Sequence, residues 1–517
     1  MAPISVYYSL PKDLYDREAT GPDSEKRADL ILTSTKKTRI GNKISSVRNP
    51  DPYYYTGSPW NLLKDDLLLF AKNAWSLPGI VFPLWEQPPA RSFHLEKRLR
   101  EQPRFFFGRL TSQVQQWLQL YFHSGSLDEL YPSVANIWDI TLHTILVITQ
   151  STFLISLPFL SFISFNIFAT YVIAFVMINY VVCMLLNGNI KNNSLRSFSS
   201  PESTQWEIDH QDEEWIFLNG VAVGKHWLQS NIDRISLTFH RKVTGVHNKT
   251  AGIVFDVIQC LLERCLYFGT SDTRTCFALI SEALTHPNEK KVVLILHSQG
   301  GLEGSIILDW LMNQHPAEVM RRLEVYTFGN AANHFNNPGG RHGTDSERPI
   351  RHIEHYANSF DFVSRWGVLH FKKRTAEHEG KTIVHGGFGS IAAIKADVRR
   401  KKGTVKKAWN AYEGAVFVRQ GSGHQLNQHY LDNMFPLDES LSRVMTNGDG
   451  SPLPGTFMAS PARVHNDPKE IRMQRSLVNG IPELPDNNGI NGEVGEKKVF
   501  QVSRLWGYIN GGHPEEY

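Results

Sequence analysis

A stretch of 51 residues without Asp, Glu, Lys or Arg lies between Asp139 and Lys191 and restricts what this chain can fold into. At 1.5 Å per residue it would form roughly 76 Å of helix, whereas one membrane crossing takes about 20 residues. The stretch therefore predicts a transmembrane helical hairpin over 138–190, with its turn at 161–166. Two alternatives are a buried helical hairpin of a soluble protein and a hairpin that enters one leaflet and returns.

The regions on either side of the hairpin differ in composition. Residues 1–50 are polar, and we expect them to be disordered. Residues 51–135 are rich in aromatic side chains, and apolar residues at helical spacing over 108–122 predict an amphipathic helix that packs on the rest of the protein or lies on a bilayer. Residues 446–517 are rich in Pro, Gly, Asn and Asp and are predicted to form a polar tail that ends in a candidate docking segment, VFQVSRLWGY.

Residues 205–445 alternate short β-rich runs with longer helical stretches. The predicted strands are EWIFLNGVA, KVVLILHS, LEVYTFGNA, PIRHIEHYAN and AVFVRQGSG. The predicted helices are AGIVFDVIQCLLERCLYF, RTCFALISEALTH and GLEGSIILDWLMNQH. Such alternation predicts an α/β fold with a mostly parallel sheet and helices on both faces.

Composition and short motifs exclude several functional classes. A net charge of +3 over 517 residues gives no basic excess of the kind that binding to nucleic acid requires. The four cysteines form no C-x-x-C pair, which favours a reducing, cytosol-facing environment over a disulfide scaffold. No zinc-protease, phosphate-loop or dinucleotide motif occurs, and His352 and His355 would face opposite sides of a strand. We therefore expect neither a metal nor a cofactor.

The segment KVVLILHSQGGLEGSIILDWL carries the most chemical information. A buried strand runs into Ser298 and continues directly as an apolar helix. A serine at such a junction is held in a strained conformation that exposes its hydroxyl, and the small residues Gly300 and Gly301 let strand and helix approach closely. The helix N-terminus and the amide of Gln299 would then face an oxyanion formed at this point.

This motif, L-H-S-Q-G, resembles the nucleophile elbow G-x-S-x-G of the α/β-hydrolase superfamily. The resemblance is to class 3 lipase-like enzymes and fungal membrane-anchored serine hydrolases, and it covers roughly residues 206–444. Leu296 replaces the first glycine of the pattern. A bulkier residue at this position must find room beside the helix; otherwise the contact loosens or the elbow is not functional.

The family's chain order of nucleophile, acid and histidine implies the other site residues. Asp361 follows a predicted strand and matches the acid, and His424 follows the last predicted strand and matches the base. His429 is the alternative base. The oxyanion hole would combine the amide of Gln299 with the loop at Gly220 and Val221.

The resemblance implies a membrane-anchored serine hydrolase that cleaves an ester of a lipid or another hydrophobic molecule through a Ser-His-Asp triad. Its partners would be that substrate and the lipid bilayer. It would be located in the endoplasmic reticulum or another internal membrane, with the catalytic domain in the cytosol. Glycosylation patterns at Asn192 and Asn248 would place the catalytic domain on the opposite, non-cytosolic side of the membrane, but such short patterns often arise by chance.

Two other functions are compatible with the same residues. One is a tailoring hydrolase, thioesterase or acyltransferase of hydrophobic natural-product metabolism. The other is a catalytically inactive hydrolase fold that serves as a membrane interaction module, as the leucine at position 296 would suggest. The sequence does not determine the oligomeric state.

Overall fold

A seven-stranded sheet forms the centre of the structure, with strand order β1-β3-β2-β4-β5-β6-β7. Only β1 pairs antiparallel; all the other pairings are parallel. The strands are β1 (Ser194–Arg196), β2 (Glu213–Leu218), β3 (Val243–Val246), β4 (Lys291–His297), β5 (Leu323–Phe328), β6 (His352–Asn358) and β7 (Ala415–Arg419). The predicted α/β fold with a mostly parallel sheet is confirmed. The sequence patterns missed β1 and β3, which are only 3 and 4 residues long.

The computed structural model describes residues 59–84, 118, 122–160, 162, 164–190, 193–338, 348–372, 411–462 and 497–515. These residues all belong to the unit Tyr53–Tyr517, and the other unit, Met1–Pro52, lies outside the described residues. The predictions for residues 1–50 and for nearly all of the amphipathic helix at 108–122 therefore also fall outside them.

Helices cover both faces of the sheet. In chain order they are α1 (Pro59–Asn73), α2 (Val134–Leu160), α3 (Phe165–Asn187), α4 (Pro201–Asp209), α5 (Lys225–Phe239), α6 (Ile253–Leu266), α7 (Ser271–Thr285), α8 (Gln299–Gln314), α9 (Ala317–Met320), α10 (Phe362–Trp366) and α11 (Asp432–Met434), which continues a π-helical turn at Leu426–Leu431.

The central strand β4 is buried on both faces, which explains its unbroken apolar sequence. Leu294 and Leu296 pack into the core beneath α7 and α8. Val293 and Ile295 point the other way, into the core beneath α5. The alternation of side chains along a strand thus divides one hydrophobic run between two cores.

The core extends beyond the residues expected from the sequence, 205–445. Leu505 and Tyr508, from the region predicted to be a polar tail, are buried in the core beneath α5. The Tyr508 hydroxyl donates a hydrogen bond of 2.8 Å to Glu324 on β5, and Arg504 forms an ion pair with the same carboxylate at 2.9 Å. The chain's last described segment is therefore part of the folded domain.

The helices α2 and α3 are both long and apolar enough to cross a membrane, as predicted. They pack on the domain through polar side chains. Gln150 donates a hydrogen bond of 2.6 Å to the Ala251 carbonyl, and Asn187 forms two hydrogen bonds with the backbone of Thr250. The hairpin is thus joined to the loop that precedes α6.

The segment at 59–84 lies against the loops that follow β6 and β7. Asp66 on α1 forms a buried ion pair of 2.9 Å with Arg264 on α6. After a 3-10 helix at Ala74–Ile80, the carbonyls of Gly79 and Ile80 accept hydrogen bonds from the amides of Gly423 and His424. This segment therefore braces the loop that contains one of the predicted site residues.

Candidate active site

Ser298 lies at the abrupt junction of β4 and α8. Its backbone has φ 58° and ψ −121°, a strained conformation for a residue with a side chain. The strain is held by three hydrogen bonds: Ser298 donates its amide to the Phe328 carbonyl, and its own carbonyl accepts from the amides of Gly301 and Ala331. The serine therefore has the turn geometry that the sequence pattern predicted for a nucleophile elbow.

Small residues on α8 make room for this turn. A side chain at Gly300 would strike the backbone of Leu218, and one at Gly301 would strike Asn330. A side chain at Gly304 would overlap Leu296 itself. Leu296 in the strand thus packs against a glycine in the helix, and β4 and α8 are in close contact.

His424 and Asp361 form a buried pair. The His424 Nδ1 atom lies 2.8 Å from Asp361 Oδ2, so the imidazole donates to the carboxylate. Asp361 also accepts hydrogen bonds from the Val363 amide and from the hydroxyls of Ser364 and Tyr430. These bonds fix the orientation of the carboxylate and, through it, the imidazole.

The surroundings keep Asp361 ionised. Burial alone would raise its pKa, but the charge of His424 and the hydrogen bonds from His424, Ser364 and Tyr430 outweigh burial and hold the pKa below its usual value. His297 beside the pair behaves differently, because burial, reinforced by the charge of His424, lowers its pKa to about 3. His297 is therefore neutral at physiological pH and brings no positive charge to the site.

The pair lies close to Ser298. The His424 ring stacks on the ring of His297, the residue before the serine, with centroids 4.7 Å apart. Gly329 follows Phe328, which binds the serine amide, and an added Cβ at Gly329 would lie 2.7 Å from the imidazole of His424. The Nε2 atom of His424 is buried and has no hydrogen-bond partner among the described residues, Ser298 included.

His429 lies in a different environment. Its Nδ1 accepts a hydrogen bond of 3.0 Å from the amide of Gln425, and its Nε2 lies 2.7 Å from the carbonyl of Pro83. Both ring nitrogens are therefore bonded to the backbone, and this histidine ties the segment at 59–84 to the loop after β7.

The predicted oxyanion residues lie beside the serine. An added Cβ at Gly220 would be 2.9 Å from Ser298 Oγ, so only a glycine allows the loop after β2 to come this close. The backbone amides of Val221 and Gln299 donate to no acceptor within the described part of the chain. Both amides are thus available as donors, and Gly220, which precedes Val221, lies against Ser298.

Sequence reasoning missed the residues that support this site. Asn219 holds the loop after β2 through hydrogen bonds with the backbone of Asn248, and Asp256 binds the amide of Ala222. Tyr430 and the carbonyls at 79–80 support the acid and the base. Tyr430 stands six residues after His424, but no pattern in the sequence identifies a residue that acts through a tertiary contact.

The histidines on β6 are bound within the protein. His352 contacts Glu354, and His355 contacts Thr327 and the Glu413 carbonyl. Among the residues that the structure describes, no group of three or more His, Cys, Asp or Glu could hold a metal ion. Comparison of the chain with protein-family models, with curated proteins and with solved structures finds no match.

Proposed function

We propose that this chain is a membrane-anchored serine hydrolase of the α/β-hydrolase type, acting on an ester of a lipid or another hydrophobic molecule. The strand order supports this fold, because the candidate nucleophile follows the central strand β4, and the acid and base follow β6 and β7. All three then lie at the carboxyl edge of one parallel sheet.

The observation that carries the proposal is the combination of two independent features. Ser298 has a strained backbone at a strand-to-helix turn, and beside it a histidine that is bonded to a buried aspartate has an unpartnered Nε2. Other buried histidines of the described region, such as His247 and His297, also have an unpartnered ring nitrogen. The ring of His424 is in addition bonded to the buried Asp361. A free, buried Nε2 next to a serine is the arrangement that a general base requires.

The mechanism follows from these positions. His424 Nε2 takes the proton of the Ser298 hydroxyl as the oxygen attacks the acyl carbonyl, and Asp361 stabilises the resulting imidazolium. The amides of Gln299 and Val221 bind the oxyanion. His424 then returns the proton to the departing alcohol, and water releases the acyl group by the reverse sequence. The missing bond between Ser298 and His424 fits this scheme, because such bonds often tighten only with substrate present.

The hairpin supports a hydrophobic substrate and an integral membrane location. It contacts the loop at 250–252, which neighbours Asp256 and the oxyanion loop. The four free, buried cysteines support a cytosolic catalytic domain, as does Asn248, whose buried side chain is a poor acceptor for a glycan. An internal membrane such as the endoplasmic reticulum is part of the same proposal.

Labelling with a fluorophosphonate probe tests the nucleophile. The full-length protein in detergent should be labelled, and Ser298→Ala should lose the label completely, whereas Ser440→Ala, in an exposed loop, should keep it. Labelling of Ser298→Ala at the unchanged rate would refute the assignment. Hydrolysis assays with lipid esters and with acyl thioesters would then separate a lipase-like enzyme from a thioesterase or acyltransferase.

An inactive interaction module is the competing function, and its main support was the leucine in the elbow. Gly304 supplies the room that Leu296 needs, so this substitution does not argue against activity.

A further inference from the structure

The polarity of α6 is inverted relative to a helix on the surface of a soluble protein. Its charged residues, Asp256, Glu263 and Arg264, are all buried. Its exposed side chains, Ile258, Leu262 and Leu266, follow one another at a spacing of four residues and form one apolar stripe. Water is a poor solvent for such a stripe, so an apolar environment is expected to cover it.

The helix that carries this stripe packs against both the hairpin and α1. Phe255 on α6 contacts Phe175 on α3 edge to face, with ring centroids 6.0 Å apart. On its other side α6 is tied to α1 by the ion pair of Arg264 with Asp66. The outer side of α1 exposes Trp60, Leu67 and Leu68 together with Lys64 and Lys72, a combination typical of helices at a membrane surface.

The hairpin extends only a short distance beyond its contact with the loop that precedes α6, while its exposed apolar side chains begin nearer the domain, for example at Ile145 and Ile148. After Gln150, which binds the Ala251 carbonyl, α2 continues for about ten residues to Leu160, roughly 15 Å. Between Phe165 and Asn179, which accepts a hydrogen bond from Gln150, α3 spans roughly 21 Å. The hydrocarbon core of a bilayer is about 30 Å thick, so the turn at Phe162 would reach only its middle.

We propose that the hairpin enters one leaflet only and that the outer faces of α6 and α1 dock on that same leaflet. This inference rests on the membrane anchoring in the proposed function and specifies its geometry. The lipid bilayer is the occupant of the α6–α1 face, because α6 packs against the hairpin and α1 carries lysines suited to phosphate headgroups. The candidate active site would then lie at the level of the headgroups.

Depth-dependent quenching tests this geometry. The full-length protein is labelled with a fluorophore at Phe162→Cys, Leu262→Cys or Leu68→Cys and reconstituted into phosphatidylcholine vesicles with a minority of phosphatidylserine. The lipids carry a nitroxide near the headgroup or near the chain end. Glu439→Cys, exposed on the opposite side of the sheet, is the control, and the buried native cysteines leave the new thiol as the reactive one.

We expect the label at 162 to be quenched most by the chain-end nitroxide and the labels at 262 and 68 by the headgroup nitroxide. Each should be quenched several-fold more than the label at 439. Reaction of Phe162→Cys with an impermeant thiol reagent on the side opposite the domain would show a full crossing and overturn the proposal. Quenching at 162 without quenching at 262 and 68 would refute the docked face but leave the anchor intact.

These experiments distinguish a failure of the docking geometry from a failure of the proposed function. If none of the positions is quenched and the protein does not float with vesicles, the membrane anchor itself is refuted. Loss of fluorophosphonate labelling at Ser298 is measured in detergent and is independent of both results.

A charge on the stripe provides a second test. Leu262→Glu should lower the rate on an ester embedded in vesicles several-fold and leave the rate on a soluble short-chain ester unchanged. Ile208→Glu, at an exposed apolar residue of α4, is the matched control and should change neither rate. Equal rates for both variants on vesicles would contradict the proposal, as would a dimer of the parent protein that Leu262→Glu converts to a monomer.

Discussion

At the scale of single residues, Leu296 and Gly304 show how a large residue in a strand is accommodated by a glycine in the neighbouring helix. The elbow pattern places a small residue in the strand so that the helix can approach. Here the strand residue is large and the helix residue that faces it is a glycine. Strand and helix can therefore still approach closely, with the small residue on the helix instead of the strand. A motif that is read along the chain cannot reveal this exchange, because the two residues are adjacent only after folding.

Substitutions at these two positions should therefore couple. Gly304→Ala alone should overpack the contact and cost about 1–3 kcal/mol, and Leu296→Ala alone should leave a cavity and cost about 2–5 kcal/mol. The double variant should cost less than the sum, because the new methyl group occupies part of the space that the leucine leaves. Thermal unfolding in detergent measures the coupling, and strictly additive losses would contradict it.

Substitutions of the two histidines that follow β7 should have different effects on fluorophosphonate labelling. His424→Ala should slow fluorophosphonate labelling of the folded protein by about 10²–10⁴-fold, since a general base contributes that much. It should also lower the melting temperature, because the buried Asp361 carboxylate loses its imidazole partner. His429→Ala should lower the melting temperature, because it removes the bonds to Gln425 and Pro83, but the folded fraction should label at nearly the parent rate. A reversed pattern would make His429 the base.

At the scale of elements, the segment at 59–84 and the hairpin support the site from outside the sheet. The segment at 59–84 binds the backbone of the loop that contains His424, and the hairpin binds the loop at 250–252. Deletion of 140–190 would therefore remove partners of the domain as well as its anchor, and single polar or charged substitutions are the cleaner test.

The contact of α1 with α6 is suited to such a substitution. Asp66→Ala should lower stability by about 3–5 kcal/mol, because it leaves the buried Arg264 guanidinium without its counterion. Asn61→Ala, at an exposed residue of the same helix, should change stability by less than about 0.5 kcal/mol. Both can be compared by chemical unfolding in detergent; similar losses would show that the ion pair is not what joins the two helices.

At the scale of the whole molecule, acidic residues buried behind the site should make stability depend on pH. Burial, helped by the charges of Asp256 and Asp272, raises the pKa of Glu263 from 4.5 to about 7, although Gln299 and Gln259 donate hydrogen bonds to it. Between these two values the folded protein keeps a proton that the unfolded chain has lost. The contribution of Glu263 to stability should therefore fall as the pH rises from about 4.5 to about 7, whereas buried histidines such as His297, with its pKa lowered to about 3, contribute in the opposite sense.

The variant Glu263→Gln should flatten this decline by roughly 1–3 kcal/mol. Melting temperatures in detergent at pH 5 and pH 8 measure the effect for the parent, for Glu263→Gln and for the exposed control Glu282→Gln. The control should retain the parental slope. An unchanged slope in Glu263→Gln would assign the pH dependence to other groups.

Strong local patterns were enough to predict part of this structure from the sequence. The two apolar helices and the strands β2, β4, β5, β6 and β7 were predicted because each has the length and polarity that one environment requires. The three-residue and four-residue strands β1 and β3 are too short to show a period, and they form through pairing with their neighbours.

The sequence by itself determined the charge-free hairpin, the alternation of strands and helices, and a serine at a strand-to-helix junction, since each depends on residues close together in the chain. The tertiary structure alone decided which histidine meets the aspartate, what makes room for Leu296, and that the last described residues complete the core. These contacts join residues far apart in the chain, and their energies arise from packing and burial that no local pattern records.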